Sequence, residues 1–248
     1  MDLPTDSVLF AYAVVCCVGL FAGILGGVIG FGTTIILMPL LVHYFGPLHA
    51  VPIVALVAIM ANISRVILWY HSIEWRVCAV YNLTAVPCVI LGANTLVMLS
   101  TRWIDLILGS FLLLMIPIRR KLRELNFNLK LREMALVGAV IGYLTGVVAS
   151  TGAINTPFFL GYGLVKGAFI GTEAASSLFM FIAKGITFHQ LGVIDVEVIE
   201  QGLIIGSFVL IGSGFSKRLV LNLSETVFLY LMEGVMLVSG LSILAMAM

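Results

Sequence analysis

The chain is expected to fold as an all-α integral membrane protein built from two inverted repeats. Three observations point there: long stretches without charge, glycine-rich interruptions that recur at a fixed offset, and one-sided placement of the basic residues. Each repeat holds about four to five hydrophobic segments and opens with a Gly-broken helix or a re-entrant hairpin.

The charge-free stretches come first. Ser7–Ser64 contains no Asp, Glu, Lys or Arg over 58 residues, and Met134–Val165 none over 32. Val77–Thr101 adds 25, Gln201–Ser216 adds 16 and Gly234–Met248 adds 15. A spanning helix needs about 20 mostly apolar residues. A soluble core helix keeps a polar face, and these stretches have none. Hydrophobic residues are 61% and charged residues 10% of the 248, against roughly 45–50% and 25% in soluble domains. So few basic residues leave no footprint for nucleic acid. The acidic start, with Asp2 and Asp6, does not suit a cleaved leader, which opens on positive charge. The four cysteines, Cys16, Cys17, Cys78 and Cys88, have no metal-ligand spacing and read as apolar filler. No metal or other cofactor is expected.

Breaks in hydropathy divide the chain. The first half, residues 1–118, has segments near Ser7–Leu25, Thr34–Phe45, Ala50–His71, Val77–Leu99 and Trp103–Ile118. A basic cytoplasmic linker follows over 119–133. The second half, 134–248, has segments near Met134–Ala149, Thr156–Leu164, Gly167–His189, Val196–Phe215 and Glu225–Ala247. Gly23 and Gly27 recur at Gly142 and Gly146, an offset of 119, and the same offset carries Arg65 onto Lys184. Pro39 and Pro157 follow the breaks, one residue closer. Repeats of this kind characterise transporter folds.

Orientation follows from Lys and Arg, which collect on the cytoplasmic side. With an odd number of crossings per half, ten basic residues fall on the side of 119–132 and only Arg102 on the other. An even number gives seven against four. The odd count inverts the halves and places both termini outside. The expected location is the cell (inner) membrane, multi-pass, with 119–132 cytoplasmic.

The candidate site lies at the breaks. Broken backbone inside lipid is tolerated only where protein or a water-filled cavity satisfies it. A helix restarting there points free N–H groups and the positive end of its dipole at the gap, which suits an anion. Gly30, Gly32, Thr33 and Thr34 in the first break, and Ser150, Thr151, Gly152, Asn155 and Thr156 in the second, are the expected ligand-lining residues. Gly23, Gly27, Gly142 and Gly146 read as helix-packing positions. Arg65 and Lys184 are intramembrane cations expected to supply positive charge to the substrate, with snorkelling to the interface as the plainer alternative. Glu233 is the candidate proton-coupling acid, or a partner for Lys184. Glu173 is the other candidate counter-ion of these cations, with an acid placed for the helix dipole as its plainer reading, and Asp105 and Glu225 read as helix caps. No Gly-x-Ser-x-Gly, His-Glu-x-x-His or Walker lysine loop is present, so no enzyme activity is expected.

Gly27-Val28-Ile29-Gly30-Phe31-Gly32 leading to Pro39, with Gly142 to Pro157 in the second half, resembles the TauE/SafE family of sulfite-exporter-like permeases. The likeness runs nearly the whole chain in length, hydropathy and duplicated layout. Thr33, Thr34, Ala149, Thr151 and Ala153 stand where the family more often has glycine or proline. The resemblance implies transport of small sulfur-containing anions such as sulfite, sulfoacetate or related organosulfonates. The reading is therefore a secondary transporter working by alternating access, and the alternative is a channel for a small anionic or neutral solute. The expected partners are the anion and the lipid bilayer, with a homodimer compatible and no nucleic acid.

Overall fold

The computed structural model describes residues 5–29, 32–125, 128–148 and 151–219, and ten positions between 230 and 245. All regular structure among them is helical. The helices are α1 (Thr5–Ile29), α2 (Thr33–Phe45), α3 (Pro47–Trp69), α4 (Trp75–Val97), α5 (Thr101–Glu124), α6 (Leu131–Val147), α7 (Gly152–Gly161), α8 (Lys166–Gln190) and α9 (Val196–Leu219). Among the described residues, four helices are long and apolar enough to cross a membrane: Leu48–Ser72, Trp75–Val97, Gly167–Gln190 and Val196–Phe215. At about 1.5 Å per residue, the 13 residues of α2 and the 10 of α7 fall well short of a roughly 30 Å hydrocarbon core.

Nine of the ten expected segments are found among the described residues, with two differences. Helix α5 runs on to Glu124, so the basic residues from Arg119 to Arg123 form its last turns rather than a free linker. A helix continues through a charge run where its carbonyl end meets cations, which the dipole favours. Asp105 lies a full turn inside α5, whose N-cap is Ser100, so it does not cap the helix. Glu225, and most of the expected last segment, lie outside the described residues.

Polarity is distributed inside out. Phe21, Ile67, Leu83, Leu136, Ile186 and Leu203 are exposed on the outer faces. Thr34, Asn62, Arg65, Thr145, Asn155, Glu173, Ser177 and Lys184 are buried among the helices. Water would penalise the first set and lipid the second, so the surface is one that faces lipid.

Helices α3 and α8 pack on each other at the centre. Helix α9 lies against α3 and carries α1 on its far side; α4 lies against α8 and carries α6. The row of neighbours is therefore α1, α9, α3, α8, α4, α6. Replacing each helix by its counterpart five elements along reverses this row onto itself. The short helices α2 and α7 follow the same exchange, α2 touching α1 and α3, α7 touching α6 and α8.

Glycine makes the tightest of these contacts possible. A Cβ on Gly138, Gly142 or Gly146 would stand 2.3, 2.4 and 2.4 Å from the carbonyl oxygens of Tyr81, Ala85 and Val89. Both sets are spaced by four residues, so one face of α6 lies directly on the backbone of α4. Gly23 meets Val209 in the same way at the α1–α9 contact. Gly142→Ala is expected to force α6 and α4 apart and to cost about 1–3 kcal/mol, read as a lower unfolding temperature in detergent. Gly214→Ala, with nothing within 4 Å, should leave that temperature in place.

Candidate functional site

Both breaks meet α3 and α8 at one pocket, which encloses about 420 Å³ of space, part of it open to the outside. Its walls are Gly32, Thr33 and Thr34 at the start of α2, Thr151 and Gly152 at the start of α7, and Thr145 near the end of α6. Helix α3 adds Ala58, Ala61, Asn62 and Arg65; α8 adds Glu173, Ser177, Met180 and Phe181.

The two helix starts are aimed at this space by different means. Gly32 has φ 119°, in the region open to glycine, and this turns the chain sharply from the break into α2. The first i to i−4 bond of α2 runs from the Ile36 amide to the Gly32 carbonyl. Neither N-cap residue, Gly32 or Thr151, makes a side-chain capping bond of its own. The first-turn amides of a helix have no intrahelical acceptor, so each start presents donors and a positive dipole end to an anion. The Thr33 hydroxyl is turned away, donating to the Ala22 carbonyl at 3.1 Å and tying α2 to α1. Thr145 donates to the Ile141 carbonyl at 2.7 Å. Its oxygen also lies 2.5 Å from that of Thr151, which leaves Thr151 as the donor between the two hydroxyls.

Arg65 supplies the charge. It is buried, and its Nη1 donates to Oε2 of Glu173 at 3.2 Å. Its Nη2 donates to Oδ1 of Asn62, whose own Nδ2 donates to the Ala58 carbonyl at 2.8 Å. Ser177 donates to the other oxygen of Glu173 at 2.8 Å. The guanidinium is thus held in place by one buried carboxylate and one amide. Two helix starts, with the positive ends of their dipoles, and one cation surround a space with one acid among its described wall residues.

The expected site residues separate into groups. Gly32, Thr33, Thr34, Arg65, Thr151 and Gly152 come together at the pocket. Gly30 and Ser150 lie outside the described residues. Asn155 is buried one turn into α7, where its Oδ1 accepts a bond from the Tyr81 hydroxyl at 3.0 Å. Thr156 turns back on its own helix and donates to the Gly152 carbonyl at 2.9 Å.

Three expectations are corrected. Lys184 does not stand beside Arg65: its Nζ donates to the carbonyls of Thr145 and Val148 at 2.6 and 2.7 Å, at the end of α6. The carbonyls left over by the break are a nearer sink for a buried cation than the pocket. Glu233 bonds Arg120 through both carboxylate oxygens instead of approaching Lys184. Glu173 is not a first-turn acid of α8 but the partner of Arg65. Dipole stabilisation fades beyond the first turn of a helix, and Glu173 lies beyond it. Asn62, Thr145 and Ser177 are the polar pocket residues not anticipated, and Glu173 takes the counter-ion role that was open to it. The signal for Glu173 was present, since an acid inside an apolar spanning segment marks function by default.

The family profile described as Sulfite exporter TauE/SafE matches residues 15–243. The chain belongs to the TauE/SafE sulfite exporter family. No curated protein and no solved structure matches it. As a TauE/SafE protein with lipid-facing helices, it is a multi-pass membrane protein of a transport family.

Proposed function

We propose that this TauE/SafE protein is a secondary transporter that carries a small sulfur-containing anion, such as sulfite, sulfoacetate or a related organosulfonate, through the α2–α3–α7–α8 pocket by alternating access. The observation that carries this reading is the buried Arg65 set at one pocket with the starts of α2 and α7. Sulfonate and sulfite groups present three oxygens, which suits a guanidinium on one side and backbone donors on two others.

Two inverted halves would supply the alternation. The reversal of the helix row under a five-element shift supports a pseudo-two-fold axis through the α3–α8 contact. The ten-to-one division of basic residues supports an odd number of crossings per half, and hence inversion, with 119–132 cytoplasmic and both termini outside. One half rocking on the other would then open the pocket alternately to each side.

The test is exchange in proteoliposomes of the purified protein. Labelled sulfoacetate or methanesulfonate should enter against its own gradient when unlabelled anion is trapped inside, and the rate should saturate. Acetate should compete poorly, since it offers two oxygens rather than three. Flux that neither saturates nor shows counterflow would replace the carrier by a pore. Protein that neither binds nor moves any sulfonate or sulfite would end the proposal.

A further inference from the structure

The charge arithmetic of the pocket determines what must accompany the anion. Arg65 and Glu173 form an ion pair at 3.2 Å, with side chains only 7% and 2% exposed. The empty pocket is therefore neutral in its side chains. An anion that takes the guanidinium leaves the Glu173 carboxylate beside it, so that two negative groups share one cation away from water. An uncompensated buried charge of this kind is strongly disfavoured. A proton on Glu173 removes the conflict. The neutral carboxyl keeps its place against Ser177 on α8, and Arg65 is released to the anion.

We infer that Glu173 is the proton-coupling acid of this transporter, so that each monovalent anion is bound together with one proton. The inference rests on the anion-transport reading above and assigns its coupling. It replaces Glu233, whose carboxylate lies outside the pocket and bonds Arg120.

The surroundings of Glu173 leave it as the one acid placed for this role among the described pocket residues. From α3 it faces Arg65, and between them stands Asn62. From α4 the Tyr81 phenol acts on it, and Cys78 is buried on the same helix. From α7 it faces the Asn155 amide. Glu74 precedes α4 and is exposed, and its backbone amide donates to Thr172 at 2.9 Å. Phenol and thiol ordinarily lose their protons only above about pH 8, so neither competes with a carboxyl as the proton acceptor. The proton arrives from water on the open side and sits on the carboxylate oxygen that faced Arg65. It leaves to water on the other side once the anion has gone and the pair re-forms.

Methanesulfonate is a suitable probe because its charge does not titrate, so any linked proton belongs to the protein. In the wild type, its affinity should weaken by about tenfold per pH unit above the linked range. An inward methanesulfonate gradient should acidify the lumen of proteoliposomes loaded with a pH dye. Glu173→Gln mimics the protonated acid. It should bind methanesulfonate with an affinity independent of pH, about tenfold or more tighter than the wild type near pH 8, and carry no proton with it. Glu173→Asp should restore both the pH dependence and the acidification. Proton movement that persists in Glu173→Gln overturns the inference. So does loss of binding in a Glu173→Gln protein that unfolds at the wild-type temperature, because Glu173 would then be a fixed part of the binding surface. Wild-type protein that neither binds nor exchanges methanesulfonate brings down the anion reading itself, and this inference with it.

Discussion

The paired variant Arg65→Gln with Glu173→Gln is expected to stay folded and to lose anion exchange. The single change Arg65→Gln is a poorer test. It leaves the Glu173 carboxylate, 2% exposed, without its cation, and breaking a buried pair from one side costs about 3–5 kcal/mol. A loss of transport in that variant would report unfolding as readily as function. Neutralising both partners removes the stranded charge, and replacing a buried pair is often neutral or stabilising. Gln at 173 can still accept from Ser177, and Gln at 65 can still donate to Asn62. The unfolding temperature should therefore drop in Arg65→Gln and recover in the double variant. Exchange should not recover. Truncating one partner of a buried charged contact costs about 2–5 kcal/mol, which corresponds to an affinity loss of at least about 30-fold. Glu173→Gln alone keeps the cation and should keep binding. Wild-type exchange in the double variant would remove Arg65 from the site.

These variants turn on a pairing that the sequence left open, while much else was readable from it. The charge-free stretches located the helices because lipid imposes length and apolarity on each one separately. The two Gly-rich breaks, and Arg65 as an intramembrane cation, pointed to residues that now line one pocket. What failed were partners. Spacing along a chain assigns a residue to a segment, but helix rotation and neighbour decide what it meets. The repeat itself misled at Lys184. The offset of 119 places it opposite Arg65, and the helix row respects that exchange. The chemistry does not. The position equivalent to Glu173 in the first half is Val54, a buried apolar residue. The acid therefore exists once, and only one of the two cations pairs with it. Asn62 was equally obscured, because its counterpart in the second half is Phe181. On the proposed duplication, the two halves differ at the residues that carry charge and share the glycines that set helix distance.

Lys184→Met is the change expected to show what the second cation does. Lys184 is fully buried, and its ammonium bonds the Thr145 and Val148 carbonyls while lying 5.4 Å from the centre of the Phe188 ring. These carbonyls belong to the last turn and C-cap of α6, where a helix leaves its carbonyls without intrahelical amide partners. A cation there is favoured by the dipole and by the lone pairs together. Met fills the same volume and offers no donor, so two buried carbonyls lose a charge-assisted bond. Bonds to charged groups are worth about 1.5–3 kcal/mol each, so the loss of two, about 3–6 kcal/mol before the relief of no longer burying a charge, should appear as a lower unfolding temperature. The consequence should also reach the pocket. Thr145 carries the hydroxyl that accepts from Thr151, and Thr151 opens α7. Releasing the end of α6 should loosen that start, weaken methanesulfonate binding, and raise the thiol reactivity of a cysteine placed at Thr151. A cation that touched the substrate directly would behave differently. Its removal would abolish binding while the unfolding temperature and the Thr151→Cys reactivity stayed at their wild-type values, and that result would return Lys184 to the anion site.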